Sequence, residues 1–380
     1  MSAPANPRPE KPEAEGSDDA VRVMVVDDSL TVRTIFKRMV ESDPRMTVAA
    51  TASSAERAIA QLATTPVDVV LLDLEMPGMG GLEALPEILL TAQNAQVLVV
   101  SSLTEDGAEH TVSALSMGAA DTMLKPRPGG FNDEYRAQLL DKIRALGTSA
   151  SGAGASEGGA EAATIERAGA APVSAPAIGS GKRPELIAIG ASTGGIHALN
   201  IMLRVLSPDF NLPILITQHL PPSFIPVFAR QIELACSRRA VIAEEGTEIR
   251  AGEVAIATGH GHMMVRRVAD RLIARTCSEP VHSGCLPSVD PMFESCAAAT
   301  DGRMLAVVLS GMGRDGLKGA RAVADAGGAI IAQDADTSAV WGMPGAVTKA
   351  GLTSLVASPE ALGVAIMAHA GSRSAQAFAR

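Results

Sequence analysis

LIAIGASTGG, residues 186–195, is an aliphatic run that ends in a glycine-bracketed hydroxyl and opens into a helix-like stretch over 196–206. An apolar run without alternation, followed at once by a tight turn and a helix, is the repeating unit of a parallel sheet buried on both faces. The segment therefore predicts a strand, a turn carrying Ser192, and a helix whose free amides face the turn. Similar runs follow it as LPILITQH, EVAIAT, RMLAVVLS and AIIAQD, with a further helical stretch at 317–326. Upstream the alternation is as regular: VRVMVV then 29–42, MTVAAT then 54–64, DVVLLDL then 80–92, QVLVVSS then 105–117, DTMLK then 132–146. Both halves are expected to be doubly wound α/β domains, the first a (βα)5 unit and the second Rossmann-like with a mainly parallel sheet.

The composition agrees with that class and narrows the function. Of the 380 residues 47% are hydrophobic but only 2% aromatic, so the cores must be aliphatic. Residues 1–19 have no periodicity and read as a disordered tail. The Gly, Ala and Ser of 147–183 read as a flexible linker. Between these lie expected domains at 20–146 and 184–380. The net charge of −10 without a basic run argues against nucleic acid. No segment has the length of a membrane span. Cys236, Cys277, Cys285 and Cys296 form no CxxC pair, and the N-terminus has no secretory apolar stretch, so reduced thiols in a cytoplasmic protein are expected. Cys277, His282 and Cys285 lack a well-spaced fourth metal ligand. His260 and His262 in their glycine-rich loop, and His197 on the helix after Ser192, read as ordinary surface or packing residues.

In the first half, Asp27 and Asp28 follow one strand and Asp73 ends another. Three carboxylates gathered at one sheet edge repel one another unless a hard cation holds them, and Mg²⁺ is the natural occupant. Ser101 ends the fourth strand and Lys125 follows the fifth. A carboxylate, a divalent ion, a hydroxyl and an ammonium converging there suit phosphoryl transfer to Asp73.

In the second half, Gly190-Ala191-Ser192-Thr193-Gly194 fits the G-x-S-x-G elbow. A glycine-rich loop of this form also suits a phosphate held by backbone amides alone, which would make the domain a ligand-binding module. His219 after the next strand and Asp315 in the turn GMGRDG add a base and an orienting anion, the set needed to activate a hydroxyl for acyl transfer. Their order, Ser then His then Asp, differs from that of the common α/β-hydrolases. Met312 is a candidate oxyanion donor through its amide, and Thr193 either polarises the site or caps the helix.

VVDDS, LLDLEMPGMGG, VVSS and LKP together resemble the receiver domain of two-component response regulators. GASTGG, QHLPPSF, HSGCLPSVDPMFES, LSGMGRDGLKG, GGAIIAQD and AVWGMP resemble the effector domain of the chemotaxis protein-glutamate methylesterases, the CheB family. The resemblance implies Asp73 as phosphoacceptor, Asp28 and Asp27 with Asp73 as the Mg²⁺ pocket, Ser101 as switch hydroxyl and Lys125 as phosphate partner. It also implies Ser192 as nucleophile, His219 as general base and then acid, and Asp315 as orienting anion, with no cofactor for the hydrolysis. The implied substrates are γ-glutamyl methyl esters on chemoreceptor cytoplasmic domains, with methanol leaving and some glutamines deamidated. The implied phosphodonor is a histidine kinase, and contact with the membrane comes only through the receptors. An unphosphorylated receiver is expected to cover the Ser192 cleft. The linker is longer than the family suggests, and Gly259-His260-Gly261-His262 stands where a Pro-Gly-Gly loop is expected.

Overall fold

The computed structural model describes residues 20–102, 104–126, 130–150 and 183–370. The expected tail and nearly all of the expected linker lie outside the described residues. The first unit alternates β1 (Val21–Val26), α1 (Leu30–Val40), β2 (Met46–Ala52), α2 (Ala55–Leu62), β3 (Val69–Asp73), α3 (Gly81–Thr91), β4 (Gln96–Ser101), α4 (Glu105–Met117), β5 (Asp121–Leu124) and α5 (Asp133–Ala150). Its five strands pair in parallel in the order β2-β1-β3-β4-β5. The reversal of direction between β1 and β3 opens a crevice at their carboxyl ends, where Asp27, Asp28 and Asp73 sit. All five residues of β3 are buried, as the unbroken aliphatic run requires of a strand covered by helices on both faces.

The second unit runs β6 (Leu186–Ala191), α6 (Gly195–Arg204), β7 (Ile214–Gln218), α7 (Ile225–Cys236), β8 (Ala240–Ile242), β9 (Glu248–Ile249), β10 (Val254–Ile256), β11 (His262–Val268), β12 (Arg271–Cys277), α8 (Val289–Thr300), β13 (Met304–Val308), α9 (Leu317–Asp325), β14 (Ala329–Gln333), α10 (Met343–Lys349), β15 (Leu355–Ala357) and α11 (Pro359–His369). Seven strands form a parallel sheet in the order β15-β14-β13-β6-β7-β10-β8. Both expected doubly wound sheets are present. The chain leaves β6 toward β7 and later returns to place β13 on the other side of β6. That switch point collects Ser192, His219 and Asp315 at one edge.

An antiparallel sheet, β11-β12-β9, is an addition to the architecture read from sequence. Its hairpin turns through Ala269, which holds φ 51° without the glycine or asparagine that normally marks such a turn. The two units are packed together. A single buried apolar cluster extends from the first sheet through Leu115 and Ala119 into Ile196, Leu199, Leu220 and Phe224. No helix among the described residues is long and apolar enough to cross a membrane.

Candidate active site and the receiver that covers it

The receiver-like pocket assembles as its residue types require. Ligand oxygens of Asp27, Asp28 and Asp73 lie within 4.8 Å of one another, with Asp27 and Asp73 buried and Asp28 exposed. Lys125 Nζ is 2.7 Å from Asp27 and 2.8 Å from Asp73. One ammonium cannot balance three carboxylates, and an all-oxygen cluster fits a hard divalent ion such as Mg²⁺. Burial pushes Asp73 up to about 6, against the pull of Lys125. The Ser101 hydroxyl is fully buried and hydrogen-bonded to that of Thr111 at 2.6 Å, which ties the end of β4 to α4.

In the second unit, Ser192 follows β6 and its amide donates to the Ser310 carbonyl at 3.0 Å. The elbow depends on Gly194, which holds φ +76° at the start of α6; a Cβ there would lie 2.6 Å from the Ala339 Cβ and 2.7 Å from the Ser310 Oγ. His219 follows β7 and is pinned by its amide to the Ala191 carbonyl at 3.1 Å. Its Nε2 is 2.8 Å from Asp315 Oδ2. Asp315 is buried and accepts two further hydrogen bonds at the start of α8, from Ser288 Oγ at 2.6 Å and from the Val289 amide at 2.7 Å. Burial raises a carboxylic acid, but His219 and these donors outweigh it, and Asp315 is held below the usual range. For His219 burial likewise opposes charge, yet Asp315 and the nearby Cys285 sulfur prevail and push it up to about 9.

Among the described residues, no hydrogen bond joins Ser192 Oγ to His219, and neither the Thr193 nor the Met312 amide has an acceptor. Unpaired amides next to a nucleophile are what an oxyanion hole needs. The Thr193 side chain is engaged elsewhere: it donates to Asp121 Oδ2, at the start of β5, at 2.5 Å. That carboxylate also pairs with Lys142 of α5. The Gly194 amide donates to the Ala120 carbonyl, and His197 Nδ1 lies 3.0 Å from the Ser116 carbonyl. Gln231 reaches Ser113, and Arg230 pairs with Glu109. Thus α4 and β5 of the first unit lie across the elbow. The space left beside Ser192 is about 10 Å³, bounded by Leu115, Ala120, Asp121 and Gln218. It barely admits one water.

Several residues stand in places that sequence alone did not assign. His197 braces the junction between the units. His262 is buried rather than on a loop surface, accepting from the Ser288 amide through Nδ1 at 2.9 Å and facing the Glu279 carbonyl. Ser288, which orients Asp315, was missed, although a serine before a helix start is a cap signal. Cys285 groups with His219 and Asp315, and Cys277 and His282 belong to no metal-ligand cluster among the described residues.

Residues 187–366 match the family model described as CheB methylesterase, and residues 23–130 match that of the response regulator receiver domain. A protein-glutamate methylesterase/protein-glutamine glutaminase of Azospirillum brasilense is 41% identical over 361 residues, covering 91% of each chain. A second from Caulobacter vibrioides is 41% identical over 353 residues, covering 92% of this chain and 99% of its own. Among solved structures, the Thermotoga maritima CheB methylesterase catalytic domain aligns with TM-score 0.48 and 30% identity, over 49% of this chain and 98% of that one.

Proposed function

Because this chain belongs to the family of protein-glutamate methylesterases/protein-glutamine glutaminases, we propose that Ser192, His219 and Asp315 perform its hydrolysis and that phosphorylation of Asp73 exposes them. The enzyme is a phosphorylation-regulated carboxylic ester hydrolase that demethylates chemoreceptor glutamyl esters and deamidates glutamine. We assign 20–150 to the receiver, whose α5 runs four residues past the boundary expected from sequence, and 184–380 to catalysis, with a tail at 1–19 and a linker at 151–183. The substrates are cytoplasmic segments of receptors, which places the enzyme in the cytoplasm.

The observation that carries the assignment is the pairing of His219 with a buried, doubly hydrogen-bonded Asp315, with Ser192 at the end of the strand next to that of His219 at the same sheet edge. With Nε2–H donated to Asp315, His219 Nδ1 has the lone pair that takes the Ser192 proton. The hydroxyl oxygen attacks the ester carbonyl, and the amides of Thr193 and Met312 receive the negative oxygen. The imidazolium returns its proton to the departing methoxide, or to the amine when glutamine is the substrate. Water, deprotonated by the same nitrogen, then releases glutamate from Ser192.

Control follows from the junction. Asp27, Asp28 and Asp73 would hold Mg²⁺, which when bound would neutralise charge on an incoming phosphoryl group, while Lys125 stands beside Asp73 to pair with it. A histidine kinase supplies the phosphate. A phosphoryl oxygen on Asp73 draws in the Ser101 hydroxyl, which frees Thr111 and shifts α4, the helix lying across α6 and α7. Methanol release from methylated receptor membranes tests this. It should rise with a small phosphodonor and Mg²⁺, vanish in Ser192→Ala, and lose its stimulation in Asp73→Asn. No release from a chain shown to be phosphorylated would overturn the assignment.

A further inference from the structure

Cys285 lies in the loop between β12 and α8, beside His219 and Asp315. Its Sγ, a ring nitrogen of His219 and a carboxylate oxygen of Asp315 lie within 4.8 Å of one another. A tetrahedral zinc ion with donors at 2.0–2.3 Å sets neighbouring donors roughly 3.3–3.8 Å apart. The three side chains are therefore within about an ångström of closing on an ion. Sulfur and imidazole with one carboxylate select a borderline cation over Mg²⁺ or Ca²⁺, in contrast to the all-oxygen cluster at Asp73. The least movable donor, Asp315, is already oriented by Ser288 and Val289, the kind of outer support that metal ligands have. His219 and Cys285 are only partly buried, so an ion has a way in and a fourth position for water.

We propose that Cys285, His219 and Asp315 form a binding site for a thiophilic divalent cation, zinc being the type, and that the ion shuts off hydrolysis when bound. Binding releases the Cys285 thiol proton and, where His219 is an imidazolium, one of its ring protons to solvent. It takes the lone pair of one His219 nitrogen and leaves a proton on the other, so the ring cannot accept the Ser192 proton. The binding half stands on the ligand set alone. The inhibitory half rests on His219 being the base.

The test uses the full chain, stripped with a chelator, in excess Mg²⁺ to fill the receiver pocket. Co²⁺ is added as a spectroscopic stand-in for zinc. One equivalent should give a thiolate-to-cobalt charge-transfer band with tetrahedral d–d bands, and Zn²⁺ should erase both. Cys285→Ser should lose the charge-transfer band and bind at least about 100-fold more weakly, since losing even an outer support of a ligand costs about 10–100-fold. Cys277→Ser should keep the band. Ester hydrolysis should fall with zinc occupancy and return with chelator, whereas Cys285→Ser should hold its own metal-free rate. A spectrum without a thiolate band, or one unchanged in Cys285→Ser, overturns the site. A Cys285-dependent spectrum with undiminished hydrolysis leaves the site standing and overturns the role of His219 as base.

Discussion

Replacing Asp121 with alanine should activate the enzyme without phosphorylation. Asp121 makes three bonds: to the Thr122 amide, to Lys142, and across the junction to Thr193. The first two stay within the receiver whether it is docked or not, so to first order they cancel from the docking equilibrium. Only the Thr193 hydroxyl loses a partner on undocking. A hydrogen bond to a charged group contributes about 1.5–3 kcal/mol. The Asp121 side chain retains 16% exposure, so the lower part of that range applies. Docking should weaken about tenfold, since 1.4 kcal/mol is a factor of ten. From a docked to undocked ratio of about 100 to 1, the free fraction would rise from about 1% to about 9%. The assay is methanol release without phosphodonor in an Asp73→Asn background, which removes any contribution from phosphate. Asp121→Asn, which keeps an acceptor, should give a smaller rise. An unchanged basal rate in a variant with native circular dichroism would show that this contact does not hold the receiver down.

The chemistry and its control give further expectations. Ser192→Ala should lower kcat/KM for a methyl ester by at least about 10⁴-fold and Asp315→Asn by about 10³–10⁴-fold, read with saturating phosphodonor. Because His219 works as a base only when neutral and is held up at about 9, unstimulated hydrolysis should climb as pH rises through that value; Cys285→Ala should move the limb to lower pH, and a limb unmoved from 6.5 in the unsubstituted enzyme would refute the shift. The same raised value adds stability that is complete below 6.5 and is lost as pH rises through about 9, seen as a urea midpoint difference between the wild type and His219→Gln that closes over this range. Thr111→Val should leave phosphorylation of Asp73 intact, measured by phosphate incorporation, yet blunt the stimulation of methanol release.

The parallel sheets were legible because their strands are uninterrupted aliphatic runs, as in VVLLD and LIAIGA, and because Asp27, Ser192 and His219 follow such runs directly while Asp315 lies in the turn after β13. The residues of the proposed triad and of the acid pocket stood out in the sequence for the same reason. The β11–β12 hairpin was not legible, since Asp270 is the single turn-type residue between the strands and Ala269, which holds the positive φ, is not a residue that announces it. That the receiver covers the Ser192 cleft was implied by the family resemblance, but the contacts of the junction were not legible. Thr193, His197 and Gln231 meet partners in a distant stretch of chain, and a threonine that bonds to another domain is indistinguishable in sequence from one that caps its own helix. Cys285 escaped because metal spacing rules look for ligands close along the chain, whereas its neighbours His219 and Asp315 are brought to it by two separate crossovers of the sheet.

Lys142 gives the junction a property that matters for a signalling enzyme. When the receiver lifts away, the Asp121 carboxylate keeps its ammonium partner inside the same domain, and what parts from it is an uncharged hydroxyl. The Gln231–Ser113 contact broken with it is also uncharged, and the Arg230–Glu109 pair is already in water. No bare charge is stranded on either face, so separation meets no large electrostatic barrier and is screened little by salt. The strength of such a clasp will stay nearly constant as the ionic content of its surroundings varies.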